Sequence, residues 1–253
     1  MKTFDWSMIL LSALTVLTLC VGFFTQDSDF LLTLGDTLTL LSHLFILPSI
    51  LLTIKSPWLW VLISLTAVAS VVYHLCETDV IDRREIVFFE EMDMTAQSVL
   101  IWLTAFLFLF DDFPPLGFLA LMIVLFVMAT SSERKVLGVP VYYIVDFLPV
   151  FAVFVFNLYK LMDYDEAFFR SKRPYRFTLL FFGYFTLALI FFVVGDLNHD
   201  TTRRFYLFSH TSWHVLAYTA LYFSLRARST AFIPRAVQIK RTDFAYKRLP
   251  MPS

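Results

Sequence analysis

Charge is scarce in this sequence. Asp, Glu, Lys and Arg make up 16% of its 253 residues, against about 25% in an average soluble domain. Apolar residues take their place, at 58% of the chain with 30 Phe and a mean hydropathy of +0.72. That balance excludes an ordinary soluble enzyme and indicates an integral membrane protein. Cysteine is scarce too: Cys20 and Cys76 are the two thiols, and one lies within an apolar run, so there is no disulfide framework. There is no Gly-x-Ser-x-Gly elbow, phosphate-binding loop, dinucleotide-binding glycine set or nucleic-acid module, which excludes the soluble chemistries and nucleic-acid partners those motifs serve. Sizeable soluble domains, internal repeats and low-complexity stretches are missing as well.

What is present is a series of long apolar runs. About 20 apolar residues cross the hydrocarbon core as a helix, and eight such segments are readable: 8–24, 36–54, 57–76, 92–110, 113–130, 139–161, 177–195 and 206–226. Charges or prolines bound most of them, as in Lys55-Ser56-Pro57 and Asp111-Asp112-Phe113-Pro114-Pro115. The predicted fold class is an all-α integral membrane protein: a seven-transmembrane helix bundle over residues 31–228 with one additional N-terminal hydrophobic segment. Residues 1–30 hold that segment, either a signal peptide or an extra transmembrane helix. Residues 229–253 form a basic tail suited to anionic inner-leaflet lipids. Counting Lys and Arg by side gives 13 with the tail (Lys55, Lys160, Arg170, Lys172, Arg173, Arg176 and seven from Arg226 onward) against 6 opposite (Arg83, Arg84, Arg134, Lys135, Arg203, Arg204). The positive-inside rule then makes the C-terminus cytoplasmic, in a multi-pass protein of the plasma membrane or secretory pathway.

Polar residues recur inside these runs at helical spacing. Ser70-x-x-x-His74 closes one, Asp93 opens another, and His210-x-x-x-His214 starts the last. Residues four apart share a helix face. Segment parity places all five at one depth, near the extracytoplasmic leaflet. Ionisable groups are costly in lipid, so such a cluster indicates a functional site. His74, His210 and His214 can offer neutral imidazole nitrogens to zinc and leave a fourth position for water. Asp93 is the candidate catalytic proton carrier, or an orienter of a ligand histidine. Ser70 is the candidate catalytic hydroxyl, bonding the water or a developing oxyanion. Each also has a plainer reading. A lone transmembrane histidine more often bridges helices, Ser70 could be packing glue, and Asp93 could be an N-terminal helix charge favoured by the macrodipole.

Other residues carry less. Asp36 and His43, seven apart on one face, could touch the site or pair across helices, and the second is the expectation. Glu77 and Asp79 are placed in the loop after His74, where they could steer cations or headgroups, while Glu90 and Glu91 are plain loop or cap acids. Asp146 is a packing acid, His199 a solvated loop residue, and the Phe-rich stretches Phe106–Phe113 and Phe151–Phe156 lipid-facing surface.

This pattern of Ser-x-x-x-His, Asp and His-x-x-x-His over seven core helices resembles the CREST superfamily. Within it, Tyr73-His74-Leu75-Cys76-Glu77, His210-Thr211-Ser212-Trp213-His214 and the stretch from Met92-Asp93-Met94 to Trp102 are similar to elements of the myomaker and post-GPI-attachment phospholipase (transmembrane protein 8) family. The likeness runs over about residues 36–226. It implies zinc on the three histidines and lipid-directed chemistry: hydrolysis of an acyl ester or amide of a membrane lipid, or, as in myomaker, membrane fusion or remodelling with a structural zinc. Asp93 favours the hydrolase-like branch. The loop 77–91 is shorter than in the vertebrate relatives and lacks their second cysteine, and the large extracellular domain of the GPI-processing enzyme is not expected. A homodimer is compatible with this reading.

Overall fold

The computed structural model describes residues 3–25, 29–77, 86–109, 135–136, 139–140, 151, 155, 172–197 and 203–231. These are almost entirely helical: α1 (Thr3–Thr25), α2 (Asp29–Ser42), a 3-10 turn (His43–Ile46), α3 (Leu47–Thr53), α4 (Pro57–Glu77), α5 (Ile86–Leu109), α6 (Lys172–Leu197) and α7 (Arg203–Ala231). Two-residue strands β1 (Lys135–Val136) and β2 (Val139–Pro140) pair antiparallel, Lys135 with Pro140 and Val136 with Val139. Residues 139 and 140 are therefore extended where a membrane segment was expected to begin. Most of segments 113–130 and 139–161, together with Asp79, Asp146, His199 and the tail, lie outside the described residues.

Among the described residues, four helical stretches are long and apolar enough to cross a membrane: Phe4–Val21, Gly35–Thr53, Pro57–Glu77 and Arg176–Gly195. Their outer faces carry Leu10, Leu14 and Leu17 on α1, Leu65 and Val68 on α4, and Leu187 and Ile190 on α6, all exposed. Leucine and isoleucine rows of this extent suit a hydrocarbon surrounding, where the helical backbone satisfies its own hydrogen bonds.

The second of these stretches is not one regular helix, as an unbroken apolar run would suggest. Pro48 stands at the start of α3. Proline has no N–H to give to the carbonyl one turn back, so α-helical winding cannot run through it unaltered. The chain tightens into a 3-10 turn at His43, and the N–H of Leu47 bonds to the carbonyl of Leu44.

α7 is the centre of the bundle. From Phe205 to Ala227 no side chain is exposed, and the helix packs against α1, α2, the 3-10 turn, α3, α5 and α6. One core cluster joins Met8, Phe177, Phe181, Phe185 and Trp213; another joins Ile46, Ile63, Val99 and Tyr218. A helix enclosed by protein need not be greasy all round, which accommodates the buried Ser209, Thr211, Ser212, Thr219 and Ser224 along α7. Small polar residues allow close approach: a Cβ on Gly195 of α6 would meet Ser209 Oγ at 2.5 Å.

Candidate metal centre

His210 and His214 lie one turn apart on α7, and His74 reaches them from the last turn of α4. Their Nε2 atoms form a nearly equilateral triangle. His74 to His214 is 3.1 Å, His214 to His210 is 3.0 Å, and His210 to His74 is 3.2 Å. His74 is 0% and His214 1% exposed, and His210 is half-buried. Nitrogens bound tetrahedrally to zinc at about 2.0–2.1 Å stand roughly 3.3 Å from one another, so the triangle has the size of a zinc face.

The outer contacts of His74 and His214 bear on which of their ring nitrogens carry protons. His74 Nδ1 lies 2.8 Å from Glu77 Oε2. An ionised carboxylate only accepts, so Nδ1 carries the proton, and a neutral ring presents a bare lone pair at Nε2. His214 Nδ1 lies 3.3 Å from the Tyr218 hydroxyl, which fits the same tautomer. With the His74 and His214 lone pairs both turned toward His210 Nε2, a cation among the three nitrogens would relieve their repulsion. The donor set therefore fits a borderline-soft divalent ion held by imidazole, and the Glu77–His74 contact is the carboxylate–histidine arrangement that orients such ligands. Glu77 was placed in a loop from the sequence. α4 runs one residue further than the apolar run and brings it onto the face of His74, three positions back.

Asp93 is 3% exposed and lies two turns inside α5, which begins at Ile86. The macrodipole acts within the first turn of a helix, so a capping charge does not account for it. The Gln97 amide donates to Oδ2 at 2.6 Å, whereas Oδ1 is buried with no hydrogen-bond partner among the described residues. Ser70, fully buried, bonds to His43 Nε2 at 2.9 Å and has Asp93 and Tyr218 as neighbours. The His43 ring packs against His214 with centroids 4.4 Å apart and against His74 at 5.3 Å. His43, His74 and His214 also bring one ring nitrogen each within 4.8 Å of the others. Of the two sets, His74, His210 and His214 is the tighter.

Beside His214 is a cavity of about 40 Å³, walled by Leu100, Ile101, Phe181, Phe185 and Leu221, with Gln97, Tyr218 and His214 supplying polar atoms. One water occupies roughly 10–15 Å³ of such volume, so two or three fit next to the histidines.

The sequence model of one protein family, described as "Protein of unknown function (DUF3522)", matches residues 33–215. That span contains His43, Ser70, His74, Asp93, His210 and His214. No curated protein and no solved structure matches the chain.

Proposed function

The chain belongs to the DUF3522 family, and we propose that it is a zinc-dependent intramembrane lipid hydrolase that cleaves an acyl ester or amide near the extracytoplasmic leaflet. The observation that carries this is the convergence of three Nε2 atoms at 3.0–3.2 Å inside an apolar bundle. His74, His210 and His214 would hold the ion, which supplies a Lewis acid able to lower the pKa of water and polarise a carbonyl. Glu77 keeps the His74 lone pair inward. Asp93, held at Oδ2 by Gln97, has Oδ1 free to take a proton from the attacking water and return it to the leaving group. The apolar walls around His214 limit entry of bulk water and strengthen these contacts.

The same reading gives the chain a core of seven spans, preceded by α1 as a retained eighth. α1 buries Met8 and Asp5 against α6 and α7, contacts that a cleaved signal peptide would forfeit. The Lys and Arg count puts the C-terminal tail in the cytoplasm beside anionic lipids, and the protein in the plasma membrane or secretory pathway. A second reading is a structural zinc that fastens α4 to α7 in a membrane-fusion or remodelling factor. The near-complete burial of His74 and His214 favours it.

Lipid profiling of cells expressing wild type, His214→Ala or Asp93→Asn separates the two. Hydrolysis predicts a lipid product present with wild type and lost in both variants, with zinc retained by Asp93→Asn and turnover lowered by about 10²- to 10⁴-fold, the usual contribution of a general base. Unchanged lipids, together with a cell-fusion activity that needs the histidines but survives Asp93→Asn, would overturn hydrolysis in favour of the structural reading.

A further inference from the structure

His43 stands outside the triangle, buried at the start of the 3-10 turn. Its Nδ1 lies 2.9 Å from the Thr39 carbonyl oxygen and 3.3 Å from that of Leu40. Carbonyls only accept, so Nδ1 carries the proton, and the neutral ring has a bare Nε2. That nitrogen is 2.9 Å from Ser70 Oγ. The Ser70 hydroxyl must therefore donate to His43. A hydroxyl has one proton; with it committed, the Ser70 oxygen can only accept from its other neighbours.

Tyr218 is one of those neighbours, and its oxygen also faces His214 Nδ1 at 3.3 Å. The hydrogen bonds then run in one direction. His214 gives to Tyr218, Tyr218 to Ser70, Ser70 to His43, and His43 to the Thr39 carbonyl. Each donor in this series has an acceptor, and the series ends on backbone; the Asp93 carboxylate, also beside Ser70, takes its proton donor from the Gln97 amide instead. The alternative direction would need Nδ1 of His43 to face two carbonyls without a proton, leaving buried acceptors opposed.

We propose that His43 is a positioning residue for the three-histidine centre: by accepting the Ser70 proton it sets the direction of a hydrogen-bond chain that holds His214 with its Nε2 lone pair toward His74 and His210. The effect on metal rests on the reading of the triangle as a metal centre; the bond itself does not. Ser70 thereby acts as a link behind His214 rather than as the donor to water or oxyanion expected from its spacing to His74.

The test uses full-length protein in lipid nanodiscs with ¹⁵N-labelled histidine. Wild type should show His43 as the Nδ1–H tautomer with or without zinc, and Ser70→Ala should shift its Nε2 resonance. His43→Ala should lower zinc affinity by about 10- to 100-fold, the usual cost of losing an outer partner of a ligand. Ser70→Ala should give a similar loss, and the double variant no further loss, because both break one chain. His43→Gln, whose amide oxygen can accept from Ser70, should bind zinc close to wild type. An Nε2–H tautomer at His43, an Nε2 resonance indifferent to Ser70→Ala, or additive losses of affinity would overturn the proposal. If wild type binds no zinc, the metal reading fails alone, and the tautomer and the Ser70→Ala shift still decide the His43–Ser70 bond.

Discussion

Glu77 shows how much rests on one carboxylate. With Nδ1 of His74 bonded to it at 2.8 Å, the ring has one tautomer and one orientation, and both serve the inward Nε2. Glu77→Ala should weaken zinc binding by about 10- to 100-fold in a chelator competition, as loss of such partners does elsewhere; affinity equal to wild type would show that packing alone orients the ring. The convergence of His74, His210 and His214 was legible in the sequence because two stand four apart and helical parity brings the third to their depth. Glu77 was legible in principle, three positions from His74, but a helix boundary misplaced by a single residue put it in a loop. His43 was legible only as one of two readings, touching the site or pairing across helices: its bond to Ser70 spans 27 positions, and no local period reports a contact between α4 and the turn after α2.

Among the elements, α7 organises the rest, and its packing depends on close approach. Gly195 of α6 faces Ser209 so closely that an added methyl would meet Oγ at 2.5 Å, while one on Gly183 of the same helix would meet nothing within 4 Å. Gly195→Ala should destabilise the detergent-solubilised protein by about 1–3 kcal/mol, the usual cost of overpacking. Gly183→Ala should stabilise by up to roughly 1 kcal/mol, since alanine is the better helix former. Thermal unfolding of the two variants reads the difference; equal midpoints would mean that α6 and α7 are not seated as described. Four spans, Phe4–Val21, Gly35–Thr53, Pro57–Glu77 and Arg176–Gly195, were readable from apolar runs bounded by charges and prolines, because lipid demands length and greasiness. The 3-10 turn at His43–Ile46 was hidden by the predominantly apolar character of 36–54, although Pro48 marked the place. The central role of α7 was hidden as well, because burial by other helices leaves no simple period in a sequence.

Across the whole molecule, the first and last described helices are fastened by a polar cluster that composition could not reveal. Asp5, 1% exposed, accepts from the Tyr222 hydroxyl at 2.6 Å and pairs with Arg226 through Nε at 3.0 Å and an Nη nitrogen at 3.3 Å. Asp5→Ala leaves the Arg226 charge partly buried without this partner and should cost about 3–5 kcal/mol. Asp5→Ala combined with Arg226→Leu should recover much of that loss in the same unfolding assay; a harmless single variant would show that α1 is not held this way. The larger claim is that one metal ion joins α4 to α7. Metal analysis of purified full-length protein tests it most directly, on wild type and on His74→Ala, His210→Ala and His214→Ala. One zinc per chain is expected in wild type, and a loss of bound zinc in each variant. Wild type without stoichiometric metal, or variants that keep it, would contradict the three-histidine centre.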